Sequence, residues 1–115
     1  MKEYALLFRN DAVNENKLTP EDVQELGKQW QEWMTSIATQ GKLVDPGVRL
    51  GFDGKTVKPG KVVTTGPYAE IKEILRGLHI IRAESVEEAA SIGKGCPILK
   101  IGGNVEVRYI IPMNG

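Results

Sequence analysis

Glu70, Lys72 and Glu73 fall within four residues of one another, in a stretch, 63–81 (VTTGPYAEIKEILRGLHII), that also holds the only histidine, His79. Two carboxylates at that spacing can raise one another's pKa, and a lysine can hold a substrate carboxylate or polarise a carbonyl. If the chain is helical from Ala69 onward, Glu70 and Glu73 share a face while Lys72 points elsewhere. His79 titrates near neutrality. It is the natural general acid or base here, above all if it shares a cavity with Glu70 or Asp45. Arg108, near the end of the chain, is suited to a two-point contact with a carboxylate or phosphate. Tyr68 either lines a pocket or anchors a turn, and Asp45, in Val-Asp-Pro-Gly, either sets a turn or joins the site.

Each of these residues also has a plainer reading. The charges at 70–73 are equally what a solvated surface helix carries. A lone strand histidine is commonly a hydrogen-bonded structural residue, and Arg108 can be occupied by Glu106. Cys96 is the single cysteine, so it forms no intrachain disulfide and no cysteine metal cluster. With no histidine near it in sequence and no positive cluster, it reads as a buried structural thiol rather than a nucleophile. A single histidine weakens a zinc site further, so neither metal nor cofactor is expected. Gly102-Gly103 lacks the lysine and strand-to-helix context of a phosphate loop.

The elements that must position these groups are legible in order. The run 4–8 is aromatic and aliphatic and ends at Arg9-Asn10-Asp11, which predicts a buried first strand; 11–18 is polar and predicts a loop. Thr19-Pro20-Glu21-Asp22 opens a helix with a cap, a proline at the first position and acids at the positive end of the dipole. Val23, Leu26, Trp30, Trp33, Met34 and Ile37 then recur at helical spacing as one apolar stripe, and Gly41 ends it. Tryptophans on such a stripe are core anchors. Segment 43–50 predicts a strand turned at Asp45-Pro46-Gly47. Asp53-Gly54 and Pro59-Gly60 frame a hairpin of 55–58 with 61–65. Residues 75–83 form a strand with Leu78, Ile80 and Arg82 on one face, and His79 and Ile81 on the other. Ser85 and Glu88 make a capping box before a short Ala-rich helix. A glycine-containing loop, 98–104, leads to a last strand, 105–113, which sets Val105, Val107 and Tyr109 opposite Glu106 and Arg108.

The order β–α–β(ββ)–β–α–β predicts an α+β domain, with helices covering one face of a mainly antiparallel, ferredoxin-like sheet. At 115 residues there is room for one core. Two helices cannot cover both faces of that sheet, so a homodimer that buries the second face is expected. If the helices cover the Leu78 face, His79 looks into the dimer cavity. Fifteen basic residues balance fifteen acidic ones with no basic block, so nucleic acid is not an expected partner. No run approaches the roughly 20 apolar residues of a membrane span, and the N-terminus lacks signal-peptide form; a cytoplasmic protein with no membrane partner is expected.

TTGPYAEIKE at 64–73, then Gly77, Cys96-Pro97 and Val105-Glu106-Val107-Arg108, resemble the DGPF branch of the YCII-related superfamily in order and spacing. The resemblance extends over nearly the whole chain and implies a dimeric α+β barrel, in which two sheets face each other around a shared cavity. It implies little about chemistry. Some members carry a transcription-related label, which no residue of this chain supports independently. The leading Asp of the DGPF motif aligns with Thr65 here, so a carboxylate role does not carry over. The early histidine of the His–Asp pair proposed for related proteins is absent too. The expected site is a pocket lined by 67–73, His79 and Arg108 that takes a small, anionic molecule. In it His79 would move a proton, Glu70 orient it and Arg108 hold the anion, in cofactor-independent proton-transfer or lyase-type chemistry. A non-catalytic ligand-binding or regulatory module is the alternative.

Overall fold

The computed structural model describes residues 1–67 and 72–113; Tyr68 and Glu70 therefore lie outside the described residues. The chain runs β1 (Lys2–Asn10), α1 (Ala12–Asn16), α2 (Pro20–Thr39), β2 (Leu43–Arg49), β3 (Lys55–Lys58), β4 (Val62–Thr65), β5 (Ile74–Ala83), α3 (Val86–Gly93), a 3-10 turn (Pro97–Ile101) and β6 (Asn104–Tyr109). Strands β2, β5, β1 and β6 form, in that order, one antiparallel sheet, while β3 and β4 pair separately. β5 thus inserts between β1 and β2, the two strands that α2 connects. This is the antiparallel α+β layout expected from the sequence, with four strands in the main sheet.

Local chemistry accounts for the elements. The Thr19 hydroxyl accepts from the Asp22 N–H at 3.1 Å and the Asp22 carboxylate accepts from the Thr19 N–H at 2.9 Å, a reciprocal cap on α2. Ser85 caps α3 by accepting from the Glu88 N–H at 3.1 Å. The polar segment expected to be a loop contains a short helix instead: Asp11 accepts from the Asn14 N–H at 2.8 Å and starts α1. An aspartate followed by a five-residue turn leaves no periodicity to read.

Both long helices cover one face of the sheet. Tyr4, Leu6 and Phe8 of β1 and Ile81 and Ala83 of β5 are buried against Ile37 of α2, Ala89 of α3, Cys96 and Ile98. Here the structure corrects the sequence-based orientation. Leu6 pairs with His79 and Ala5 with Ile80, so His79 belongs to the helix-covered face and Leu78 and Ile80 to the open one. A period of two fixes which residues share a face, not which face the helices choose. On the open face Ala5, Leu7, Leu78 and Ile80 are half-buried in the isolated chain.

Candidate functional site: a cleft floored by His79

A cleft of about 300 Å³ opens between α2 and the β2–β5 edge of the sheet. Phe8, Gly77 and His79 belong to its floor strands, Leu26, Trp30 and Met34 to the α2 wall, and Gly47 and Arg49 to the β2 lip. The lip owes its shape to a break in pairing. β2 shifts register against β5 on both sides of Asp45, and the Asp45 carboxylate accepts from the Gly47 N–H at 2.7 Å. Gly47 has φ of 69° and lies so close to β5 that a Cβ there would run into the Leu78 carbonyl oxygen. Only glycine allows this approach.

His79 is 6% exposed and enclosed by aromatic rings. Trp33 stacks on it (centroids 5.6 Å apart, planes at 26°), while Phe8 at 4.7 Å and Trp30 at 5.5 Å meet it edge to face. Trp33 is itself held by donating its indole N–H to the Ile92 carbonyl at 3.2 Å. Burial pushes the His79 pKa down to about 4, a shift that the negative charge of Asp45 opposes in part. At neutral pH the ring is uncharged. Its Nδ1 is buried and makes no hydrogen bond. A buried polar atom in that condition costs about 1–3 kcal/mol and calls for an explanation beyond packing.

The far end of the cleft is closed by a clamp. Arg76 donates to both carboxylate oxygens of Glu15, at 2.7 and 2.9 Å, with each side chain less than one-fifth exposed. The same guanidinium donates to the Leu50 carbonyl and lies 3.8 Å from the centroid of Phe52. Arg76 therefore ties α1 and the segment after β2 to β5, and its charge is already neutralised. Arg49, exposed at the lip, has no ion pair among the described residues.

The expected site residues do not all converge. His79 lines the cleft, and Asp45 stands at its lip as the acceptor of a turn hydrogen bond. Arg108 pairs in register with Ala5, so it projects from the opposite face of the sheet to His79. There it donates to Glu106 at 3.2 Å, and Arg9 donates to the same carboxylate at 3.3 Å. The two arginines, Arg108 foremost, hold the Glu106 carboxyl below its usual range. Glu73 accepts from the Asn104 side chain at 2.8 Å, and neither it nor Lys72 lines the cleft. Pro67 faces a separate hollow bordered by Arg9, Lys55 and Leu75. Thr65 ends β4, paired with Lys55. Cys96 is buried, and its thiol is pushed up to about 12 by that burial, which suits a structural role. Among the described residues no group of His, Cys, Asp and Glu is placed to hold a metal ion, and no helix is long and apolar enough to cross a membrane.

A family model for the YCII-related domain matches residues 3–114. The chain belongs to the YCII-related family. Its match begins within β1 and continues past β6, so the cleft and the sheet are both inside the family domain. No match is found among curated proteins.

Arg49 and Arg76 were not singled out by sequence reasoning, and Gly47 only as part of the Asp45-Pro46-Gly47 turn. Arg76-Gly77, with only Leu78 between it and His79, was the available signal, because a glycine in a strand marks close backbone approach and the arginine beside it brings charge.

Proposed function

We propose that this YCII-related chain binds a small organic molecule in the cleft between α2 and β2, and that His79 is the group through which it acts. The observation that carries the reading is that His79, a residue lining the cleft, has a buried Nδ1 without a hydrogen-bond partner. A neutral imidazole can accept a proton from a bound molecule without metal or cofactor, as proton-transfer or lyase-type chemistry requires. The low pKa favours a second reading as well: a weak base held dry serves equally as a hydrogen-bonding partner in a module that binds without turnover.

The active form in this reading is a homodimer. Ala5, Leu7, Leu78 and Ile80 form an apolar open face, and Arg9, Glu106 and Arg108 stand on it as a polar string. Placing two such faces together gives the dimeric α+β barrel, and would return Arg108, with Lys72 and Glu73, to service at a shared cavity rather than at His79.

Ligand-detected NMR with a library of small carboxylic acids and phenols separates the readings. Binding that the His79→Phe variant loses supports the cleft, and new product resonances over hours support catalysis over simple binding. Binders unaffected by His79→Phe but lost in Arg108→Gln would move the site to the open face.

A further inference from the structure

The charge balance of the cleft identifies the ligand class; this rests on the cleft being the binding site. The ionisable side chains lining it are Glu15, Arg49, Arg76 and His79. Glu15 and Arg76 neutralise one another through two hydrogen bonds, and drawing Arg76 away would strand a carboxylate that is largely buried. His79 is enclosed by Phe8, Trp30 and Trp33 and contributes no charge at neutral pH. Asp45, just outside, is engaged with the Gly47 N–H. Arg49 is left as the one lining charge without a partner among the described residues.

Most of the remaining surface is apolar and aromatic, from Leu26, Trp30, Met34 and Phe8. The Trp30 indole N–H is the only donor on those four side chains, and the Gln31 side-chain amide adds an uncharged polar group to the lining. The cavity, at about 300 Å³, is at the lower end of the range for ligand pockets. A nucleotide or a coenzyme does not fit those terms, and a dianion would leave one charge without a counter-ion.

We infer that the cleft selects a small monocarboxylate with a flat apolar body about one ring in size, its carboxylate held by Arg49 at the lip and its body laid between α2 and the floor strands beside His79. Arg49 is a specificity-determining residue in this arrangement, and its fork geometry suits a planar carboxylate.

The chain carries its own reporter, because Trp30 and Trp33 are its only tryptophans; the first lines the cleft and the second stacks on His79. Benzoate, its neutral isostere benzamide and the cation benzylamine are titrated into the full chain, read by tryptophan fluorescence, with wild type, Arg49→Gln, Arg49→Lys and His79→Phe. Benzoate is expected to bind about tenfold more tightly than benzamide, and benzylamine not at all. Arg49→Gln brings the benzoate-to-benzamide ratio near one, while Arg49→Lys keeps part of the preference. Equal binding of benzoate and benzamide by wild type, a preference that survives Arg49→Gln, or no response to benzoate overturns the inference. Benzamide binding that His79→Phe abolishes would discard the carboxylate class and leave the cleft reading standing. Benzoate binding indifferent to both Arg49 and His79 would discard both.

Discussion

His79 is where the local physics is most exposed to measurement. Its pKa falls from 6.5 to about 4 on folding because burial disfavours the imidazolium. The unfolded chain therefore binds the proton more readily, and between those values stability falls as the pH falls. Above pH 6.5 this contribution is fully present; below about pH 4 it is gone. The shift corresponds to at most about 3 kcal/mol. Urea unfolding of wild type and His79→Phe across pH 4–7 should show the wild type losing stability faster on acidification. Phenylalanine, which needs no partner for a ring nitrogen, should be at least as stable as histidine at pH 7 and inactive. Parallel pH profiles for the two proteins would mean that His79 is hydrated in both states. That His79 is a candidate for chemistry was legible from its type and its place on an apolar strand. Its environment was not, because the faces of a strand look alike until a helix is laid on one of them.

At the level of elements, the Arg76–Glu15 clamp lines one end of the cleft. Arg76 joins α1, β5 and the segment after β2 through Glu15, Leu50 and Phe52. Arg76→Met should leave the Glu15 carboxylate largely buried and unpaired, lowering stability by about 2 kcal/mol, below the ~3–5 kcal/mol of a fully buried pair because both groups keep some contact with water. Replacing Glu15 as well, in a Glu15→Met/Arg76→Met double variant, should restore part of that loss. Denaturant midpoints of the two single variants and the double variant check this, and strictly additive losses would show that the pair is not coupled. The sequence displayed the long helix, the hairpin and the helix caps because each is written in contiguous residues: Thr19 with Asp22, Ser85 with the Glu88 N–H, Pro59 with Gly60. Of the two caps only Thr19–Asp22 is reciprocal, since Glu88 pairs with Lys42 instead of returning to Ser85. The clamp and the bulged β2 lip join positions far apart in the chain, such as Glu15 with Arg76 and Gly47 with Leu78, and no local pattern announces them.

For the whole molecule, the open face poses the main question. The two long helices are committed to the Leu6–Phe8–Ile81 side, and Ala5, Leu7, Leu78 and Ile80 are left half-covered on the other. A second copy laid face to face would bury them and bring two Arg9–Glu106–Arg108 strings into one cavity. Sedimentation at micromolar concentration should give a dimer for wild type and a monomer for Leu7→Lys, with the far-ultraviolet spectrum unchanged. A monomeric wild type would remove the shared cavity and leave Arg108 as a surface residue paired with Glu106. The antiparallel sheet with helices on one side was foreseeable from the element order; the separation of His79 from Arg108 was not. The alternation within β5 and within β6 was read correctly, but relating one strand to another requires the register Leu6↔His79 and Ala5↔Arg108.

Because His79 is the sole histidine, one imidazole signal reports on the site without assignment. The most direct test is a ¹⁵N NMR titration of that ring from pH 3 to pH 8, repeated with a molecule bound in the cleft. The ring is expected to stay neutral down to a midpoint of about 4, and its nitrogen resonances to move when the cleft is occupied. A midpoint near 6.5, unchanged by any cleft ligand, would contradict that expectation.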